Sequence, residues 1–420
     1  MPDGIEIEGR ILINMIGMAA DRYTDYMYNL VKKVIDEIGP RLSCGEAERK
    51  LGRLLVKEWI PICDMVAVES FACSPQGFLG FLPLTVLFYF AAVILYWFYP
   101  PASLVVAAIS FSMVFFEFVR YREFIDFLFP RKRGQNVVGI IRPRGEAERR
   151  VIVSGHLDSA YEFLLWHYLG TAAVVLIAIA IAAIIFILGG SLAKTVAYFT
   201  GSANATVYTG MGIAAIGLAP IVGLFLLFHT GKPVPGAMDD MAGVAVTAGL
   251  ARYLDEAKQS EGFFPQRTEV VLIGMSSEEA GLRGAKRYVK KHLSELKETP
   301  TYALLLDGIY DEKFLTVTNR ELCTGAKHDP QLVRMAQEAA ASHGWPIRSR
   351  WIPLGATDAS AFSLKGIPAI CLHCQDTSRL VPNYHTRNDT CEHVRPESLA
   401  VSLQMVIDII ERLDKGQEIS

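Results

Sequence analysis

Long apolar runs interrupt an otherwise polar chain. Residues 72–116 carry no acidic or basic side chain and are broken only by Pro100–Pro101, and two further charge-free runs cover 163–193 and 203–231. One crossing of a bilayer needs about 20 apolar residues, so the first run is long enough for two spans. The pattern predicts four transmembrane helices in two hairpins, near 77–98, 101–119, 163–189 and 206–229.

The alternative, that these runs are core helices of a soluble protein, is disfavoured because core helices seldom lack charges over such a length. An even number of spans places all polar segments on one side. Basic residues beside the spans lie mainly on that shared side, with Lys194 alone on the other. The positive-inside rule then predicts that the polar segments and both termini are cytoplasmic. We expect no signal peptide, since residues 1–40 are mixed and charged. The shared-side cations are Arg120, Arg122, Arg131, Lys132, Arg133 and Lys232.

Outside the spans, short β-branched runs alternate with segments of helical periodicity. Residues 135–143 and 149–158 have the strand pattern, whereas 24–38 and 46–58 have apolar positions at helical spacing. This alternation predicts an α/β fold with a mixed central sheet flanked by helices. We expect one discontinuous domain made of 1–76, 120–162 and 230–420, with one hairpin inserted at 77–119 and the other at 163–229.

Composition and charge narrow the class of protein. The chain has 420 residues, of which 51% are hydrophobic and 20% charged, and its net charge is -3. With no basic stripe and a negative balance, a nucleic-acid partner is not expected. Seven cysteines, an odd number without regular spacing, agree with a reducing compartment. The pair Cys371 and Cys374 is interpreted as part of a strand and loop rather than a zinc knuckle.

Metal-capable side chains stand where predicted strands give way to turns. In α/β sheets such strand ends are where sites are built. Each residue alone has a plain explanation as a helix cap, a dipole-complementing charge or a structural histidine. Together they form the mixed nitrogen and oxygen set that suits two zinc-like ions. These residues are His156, Asp158, Asp239, Asp240, Glu278, Glu279, Asp307 and His385.

The ordered motifs SGHLDS, MDDMAG, EEAGLRG, LLLDG and YHTRNDT resemble those of the M28 family of dinuclear zinc peptidases. The resemblance implies a zinc exopeptidase-like fold and two Zn²⁺ ions, with other divalent ions as alternatives. It implies that His156 and Asp307 hold one ion. It further implies that Glu279 and His385 hold the other, and that Asp239 bridges both.

The resemblance also implies catalytic roles. Glu278 becomes the general base that takes a proton from the attacking water, and Tyr384 the donor to the developing oxyanion. Two positions depart from the family pattern. Met241 is unusually large for its place, and Asp358 is followed by Ala359 where the family often has a polar residue. Both departures concern substrate preference and leave the ligand set intact.

Three further carboxylates are expected beside the ligands. Asp158 lies two residues after His156, so on a strand it points to the same face and is predicted to accept the other ring N–H. Asp240 and Asp389 are also expected to lie next to the metal ligands and to support them. By resemblance, the peptide bond between Asp239 and Asp240 is expected to be cis.

The second hairpin lies between two ligands, since His156 and Asp239 are 83 residues apart. Asp158 and Phe163 are only five residues apart, which limits their separation to about 17 Å and places the site near the bilayer surface. The sequence therefore predicts a membrane-integrated zinc exopeptidase, in the first place an aminopeptidase, acting on peptides. Carboxypeptidase, dipeptidase and glutaminyl-cyclase-like activities stay open, as does an inactive peptide-binding scaffold. Small residues at 211–223 allow homo-oligomers through the helices.

Overall fold

The computed structural model describes residues 18–202, 204–260, 262–376 and 383–417. The strands in these ranges are β1 (Met65–Cys73), β2 (Lys132–Ile141), β3 (Arg149–His156), β4 (Tyr161–Phe163), β5 (His229–Pro233), β6 (Thr268–Met275), β7 (Thr301–Asp307), β8 (Leu315–Glu321), β9 (Arg348–Ile352) and β10 (Ala369–Cys374). The α-helices are α1 (Thr24–Glu37), α2 (Glu46–Trp59), α3 (Gly77–Phe98), α4 (Pro100–Met113), α5 (Leu164–Leu169), α6 (Thr171–Thr200), α7 (Ala205–Gly223), α8 (Ala242–Gln259), α9 (Arg283–Glu298), α10 (Pro330–Ser342), α11 (Ala359–Ser363) and α12 (Pro396–Asp414).

Eight of the described strands form one mixed sheet in the order β1-β2-β6-β3-β7-β10-β8-β9. The four central strands β6, β3, β7 and β10 run parallel to their neighbours within that group, whereas β2 and β8 flank the group in antiparallel pairings. The predicted α/β fold with a mixed central sheet is confirmed. The parallel arrangement brings the carboxyl ends of four adjacent strands to one edge, which is where the site forms.

Alternation along the central strands divides the hydrophobic core between the two faces of the sheet. Val151 and Val153 pack into a cluster with α1, α8 and α12, whereas Ile152 between them packs into a second cluster with α9 and α11. Because successive strand side chains point to opposite faces, such buried apolar runs need helices on both sides. The sheet is covered accordingly, and only its edges and strand ends are left for polar chemistry.

The long apolar helices form a third, separate cluster. Helices α3 and α6, the stretch 100–119 that begins with α4, and the stretch 205–227 that begins with α7 are each long and apolar enough to cross a membrane. The cluster is held partly by buried hydrogen bonds, such as Tyr89 hydroxyl to the Ala215 carbonyl at 2.9 Å and Ser103 to Ser191 at 2.7 Å. Polar groups inside an apolar bundle need such partners.

The predicted bounds of three spans are corrected. The third was expected at 163–189, but the helix runs from Thr171 to Thr200, because Gly170 at φ +51° separates it from α5. The helix continues past Lys194, whose amine donates a hydrogen bond to the Tyr96 carbonyl at 2.6 Å. The second span begins at residue 100 and finishes in a wider helical turn at 114–119, and the fourth runs from 205 to 227.

Candidate active site

The predicted site residues come together at the carboxyl ends of the central strands. His156 is the last residue of β3 and Asp307 the last of β7, and the turn after β6 carries Glu278 and Glu279. Asp239 lies in the segment leading into α8. His385 follows β10 in the chain, beyond residues 377–382, which fall outside the described part. Residues separated by more than 200 positions in sequence thus meet at one edge of the sheet.

Asp239 stands at the centre of this group. One of its oxygens, Oδ1, is 2.9 Å from His156 Nε2, and the other, Oδ2, is 3.1 Å from His385 Nε2. His385 Nε2 is also 3.2 Å from Glu279 Oε1, while His156 Nε2 is 4.0 Å from Asp307 Oδ1. The geometry divides the five residues into two sets that share Asp239. This is the division that the M28 resemblance implies.

The arrangement fits two metal ions on its donor chemistry. Two ligand atoms of a tetrahedral zinc ion, each about 2.0–2.1 Å from the metal, are about 3.3 Å apart, close to the separations found here. His156, Asp239 and Glu279 offer donor atoms that lie within 4.8 Å of one another. Glu279 Oε1 is buried without a hydrogen-bond partner despite its closeness to a histidine nitrogen. Two donor atoms that bind the same metal ion lie this close together without a hydrogen bond between them.

The buried charges also favour cations. Burial opposes ionisation of Asp239, but hydrogen bonds from His156 and His385 prevail and lower its pKa. Burial and the charge of Asp239 raise the pKa of Asp307 to about 8. Burial acts to lower the pKa of His385, yet the carboxylates of Glu279 and Asp239 raise it to about 10. The carboxylates thus hold protons on the imidazole rings, and metal binding releases such protons.

Asp158 supports the site differently from the prediction. His156 Nδ1 is 3.1 Å from the backbone oxygen of Asp158, closer than the 3.5 Å to its carboxylate. The carboxylate instead accepts the backbone N–H groups of Glu278 and Glu279, each at 3.1 Å, and the hydroxyl of Ser43 at 2.5 Å. The carboxylate of Asp158 therefore fixes the turn that carries Glu278, and its backbone oxygen orients His156.

Asp240 and Asp389 hold the segment around Asp239. Asp240 accepts the backbone N–H of His156 at 2.9 Å and that of Gly243 at 3.0 Å. Asp389 accepts the N–H of Met238 at 2.7 Å and that of Asp239 at 3.3 Å. The peptide bond between Asp239 and Asp240 is cis, as expected. Met241, the unusual residue of this segment, is fully buried in the core.

Glu278 and Tyr384 lie next to the ligands. Burial is the main reason why the pKa of Glu278 stands well above its usual value, with the charges of Glu279 and Asp307 adding to it. A carboxylate with raised proton affinity suits a general base. The half-buried Tyr384 ring stacks on His385 with a centroid distance of 3.8 Å. Its role towards an oxyanion stays a prediction.

Asp358 reaches the site from the start of α11. It lines a small cavity together with His156, Glu278 and Asp307, and its Oδ1 is buried without a hydrogen-bond partner. Burial raises its pKa to about 7. Asp358, the residue before the departure from the family pattern at Ala359, thus lines the same cavity as Glu278, the predicted general base.

Two contributors escaped sequence reasoning. The fully buried guanidinium of Arg41 donates to the carbonyls of Leu157 at 3.0 Å and Gly236 at 2.7 Å, and so ties the strand end of His156 to the segment before Asp239. The Phe163 ring lies 4.3 Å from the His385 ring, and its N–H donates to the His385 carbonyl at 2.8 Å. The ligand motifs indicated neither contribution, because each contact joins residues that are far apart in the chain.

Fold and site together define a class: an α/β zinc-exopeptidase-like fold with a group of metal-capable side chains at the strand ends. The model of Peptidase family M28 matches residues 224–410, and the predicted resemblance is confirmed for this part of the chain. The match contains Asp239, Glu279, Asp307 and His385. His156 precedes the matched residues in the chain, and the folded structure brings it next to these four side chains.

Known structures share the fold. The aminopeptidase from Aneurinibacillus sp. strain AM-1 is 15% identical with a TM-score of 0.57, covering 94% of this chain and 95% of its own. The zinc aminopeptidase of Bacillus subtilis is 16% identical with a TM-score of 0.55, covering 93% and 95%. An Acidobacteriales bacterium glutaminyl cyclase is 14% identical with a TM-score of 0.55, covering 94% and 95%. No curated protein sequence matches the chain significantly.

Proposed function

We propose that the protein is a membrane-integrated, zinc-dependent exopeptidase, in the first place an aminopeptidase, that binds two zinc ions. The observation that carries the proposal is the position of Asp239, whose two oxygens face His156 and His385 at 2.9 and 3.1 Å. Glu278 stands beside the ligand Glu279 on a turn fixed by Asp158. Metal-assisted hydrolysis needs this combination of a bridging carboxylate and a free neighbouring base.

The bound ions would supply Lewis acidity, polarising the scissile carbonyl and acidifying a water molecule. The chain's own residues then act on protons and positions. Glu278 takes a proton from the attacking water and returns it to the leaving amine. Tyr384, whose ring stacks on His385, would donate a hydrogen bond to the carbonyl oxygen as negative charge develops there. Asp240 and Asp389 keep the Asp239 segment in place through four backbone hydrogen bonds.

A glutaminyl-cyclase-like reaction is the second candidate, because a glutaminyl cyclase is among the structures that share the fold. The resemblance implies one zinc ion in such relatives. The complete five-residue donor set at Asp239 supports two ions and therefore hydrolysis. Metal analysis of purified protein distinguishes these candidates: about one ion per chain would favour the cyclase-like reaction.

Four candidate spans support integration into a membrane, and the basic residues beside them support a cytoplasmic location for the catalytic domain. The site borders the second hairpin, since Phe163 contacts His385. We therefore propose peptides presented at the membrane surface as substrates. A reporter fused to the carboxyl terminus tests the orientation; an extracytoplasmic signal would contradict it.

The test of activity is a peptide screen with zinc-loaded protein in detergent. Free-amine, N-blocked and C-amidated forms of the same peptides separate the exopeptidase classes, because blocking the recognised end stops cleavage. We expect cleavage of free-amine and C-amidated peptides and none of N-blocked ones. Cleavage that requires a free carboxylate would indicate a carboxypeptidase or dipeptidase instead.

The first prediction concerns Glu278. Glu278→Gln removes the base but keeps the size of the side chain, so kcat should fall by about 10²–10⁴-fold while bound zinc is unchanged. Activity against the best peptide and zinc content are the measurements. The matched control is Glu298→Gln at the exposed end of α9, which should leave both unchanged. Unchanged turnover in the Glu278 variant would refute the assigned mechanism.

A further inference from the structure

Residues 120–133 run from the end of the second apolar helix into the first two residues of β2, and this stretch is here named the interfacial segment. Its inner side is firmly attached to the protein. Ile125 is buried and its N–H donates to Glu117 at 2.7 Å, Glu123 pairs with Arg287 at 2.8 Å, and Asp126 pairs with the buried Arg283. The conformation of the segment is therefore set by α9 of the catalytic domain and by the end of the second span.

Its outer side exposes three large apolar residues. Phe124, Phe127 and Leu128 are 44%, 81% and 55% exposed. The inner contacts are already filled by Ile125, so these side chains have no place in the core. Clustered exposed apolar residues mark a surface that contacts another apolar phase.

The segment is also strongly basic. The two acidic residues of the segment, Glu123 and Asp126, are paired with arginines of α9 and offer no free negative charge to the outside. The exposed cations of the segment are Arg120, Arg122, Arg131, Lys132 and Arg133. Cations interleaved with exposed apolar residues are the pattern of interfacial segments that bind anionic membranes.

The segment continues the surface of a candidate span. The Phe124 ring lies 5.0 Å from that of Phe116 near the end of the second span, and the Arg122 guanidinium lies 5.9 Å from the centroid of the same ring. The opposite ends of the hairpins differ, because there the exposed aromatic residues accompany only Lys194, which is held against Tyr96. Cations thus concentrate at the end of the bundle that bears the site.

We propose that the interfacial segment binds the headgroups of anionic phospholipids in the bilayer, with Phe127 and Leu128 inserted beside the acyl chains. The basic residues attract the anionic headgroups. The contact of Phe124 with Phe116 sets how deeply the segment lies in the bilayer. The proposal rests on membrane integration but not on peptidase activity.

Bound lipid would also steady the catalytic turn. Arg283 and Arg287 belong to α9, which directly follows the turn of Glu278 and Glu279. Lys286, between them, donates to the carbonyl of Tyr121 in the segment and, at 2.8 Å, to that of Gly281 in the turn. A cation and two ion pairs therefore connect the lipid-facing segment with the general base.

The test uses the full chain in nanodiscs of phosphatidylcholine alone or with phosphatidylglycerol. Hydrogen exchange over 120–133 and the lipids retained in native mass spectrometry are measured without substrate, so a failed peptidase assignment does not affect the outcome. We expect slower exchange in this segment with phosphatidylglycerol. Arg131→Glu with Lys132→Glu should lower the retained anionic lipid about tenfold. Arg131→Gln with Lys132→Gln gives a smaller loss and serves if the first variant does not fold.

The control is Lys32→Glu with Lys33→Glu, an equal charge change on exposed positions of α1, a helix that packs on α8 and α12. It should retain lipid as the parent does. Equal exchange in both nanodisc types, or an equal loss of lipid in the control, would overturn the proposal. Phe127→Ser with Leu128→Ser should speed exchange in the segment, and unchanged exchange there would refute the insertion of these side chains.

Discussion

At the scale of residues, the site is built largely by carboxylates that accept backbone N–H groups. Asp158 binds the amides of the Glu278 turn, Asp240 binds that of His156, and Asp389 binds that of Asp239. Each of these bonds sets the position of one predicted ligand or of the predicted base. Removing one leaves buried amides without partners, so these positions tolerate little change.

His373 on β10 makes the stability depend on pH. It is buried, its Nδ1 is 2.9 Å from the Thr318 hydroxyl, and its Nε2 has no hydrogen-bond partner. Burial lowers its pKa from 6.5 to about 4, although the charge of Glu321 opposes this. The native state therefore disfavours the protonated ring, and stability is lost as pH falls from the unfolded-state pKa towards the folded-state one. Between pH 7.5 and 5.0 the loss should be about 2 kcal/mol.

The measurement compares unfolding of the parent and His373→Gln in detergent at both pH values. The variant should lose less stability on acidification, by the amount that the histidine contributes. The exposed His393 supplies the control, since His393→Gln should keep the parental pH dependence. An equal loss in the His373 variant and the parent would show that the ring does not remain neutral.

At the scale of elements, a small ribbon links the second hairpin to the site. Strands β4 and β5 form this ribbon at the base of the hairpin. The centroids of the Phe163 and Phe228 rings are 4.5 Å apart. Glu162, the residue before Phe163 on β4, is buried. It pairs with Arg387 in the turn that follows His385 and accepts a hydrogen bond from the Thr230 hydroxyl at 3.1 Å. The hairpin is thus attached to the turn that bears a metal-ligand candidate.

Phe163→Ala should therefore weaken the site without touching the donor set. Loss of the ring frees His385 to reorient, and changes behind a ligand typically cost about 10–100-fold in metal affinity or activity. Zinc titration and kcat/KM are the measurements. Phe199→Ala, an equal truncation at the exposed far end of α6, should match the parent. Parental zinc affinity in the Phe163 variant would show that the ribbon does not position His385.

At the scale of the whole molecule, the catalytic fold and the apolar bundle are separate hydrophobic clusters within one chain. The bundle is inserted at two points of the catalytic fold, and its base contacts the site through β4 and β5. The candidate site gathers several buried carboxyl groups, and burying such groups in their ionised form costs free energy unless cations neutralise them. The stability of the domain should therefore depend on bound cations.

Removal of metal tests this dependence. A chelator should abolish hydrolysis and lower the melting temperature, because the native state loses ligands that the unfolded chain does not bind. Zinc at about 1,000 times its Kd stabilises by about 4 kcal/mol per site. Elemental analysis should return two ions per chain, and added zinc should restore both properties. Melting that is indifferent to chelator and zinc would contradict a structural role of the ions.

The sequence predicted those features that depend on residues close together in the chain. Charge-free length indicated the candidate spans, β-branched alternation the sheet, and motif order the residues His156, Asp239, Glu279, Asp307 and His385. These signals are local, because hydrophobic period and length follow from the geometry of single helices and strands. The bounds of spans were less secure, as the continuation of α6 past Lys194 depends on a contact with Tyr96 in another helix.

Tertiary structure decided everything that joins distant segments. Motifs could name Asp158 but not show that its carboxylate binds the Glu278 turn while its carbonyl faces His156. Nor could they bring Phe163 against His385, 222 positions away in sequence. The physical reason is that such contacts arise from the order of strands in the sheet and the packing of the inserted hairpins. The sequence determined which groups carry the chemistry, and the fold alone decided which of them meet.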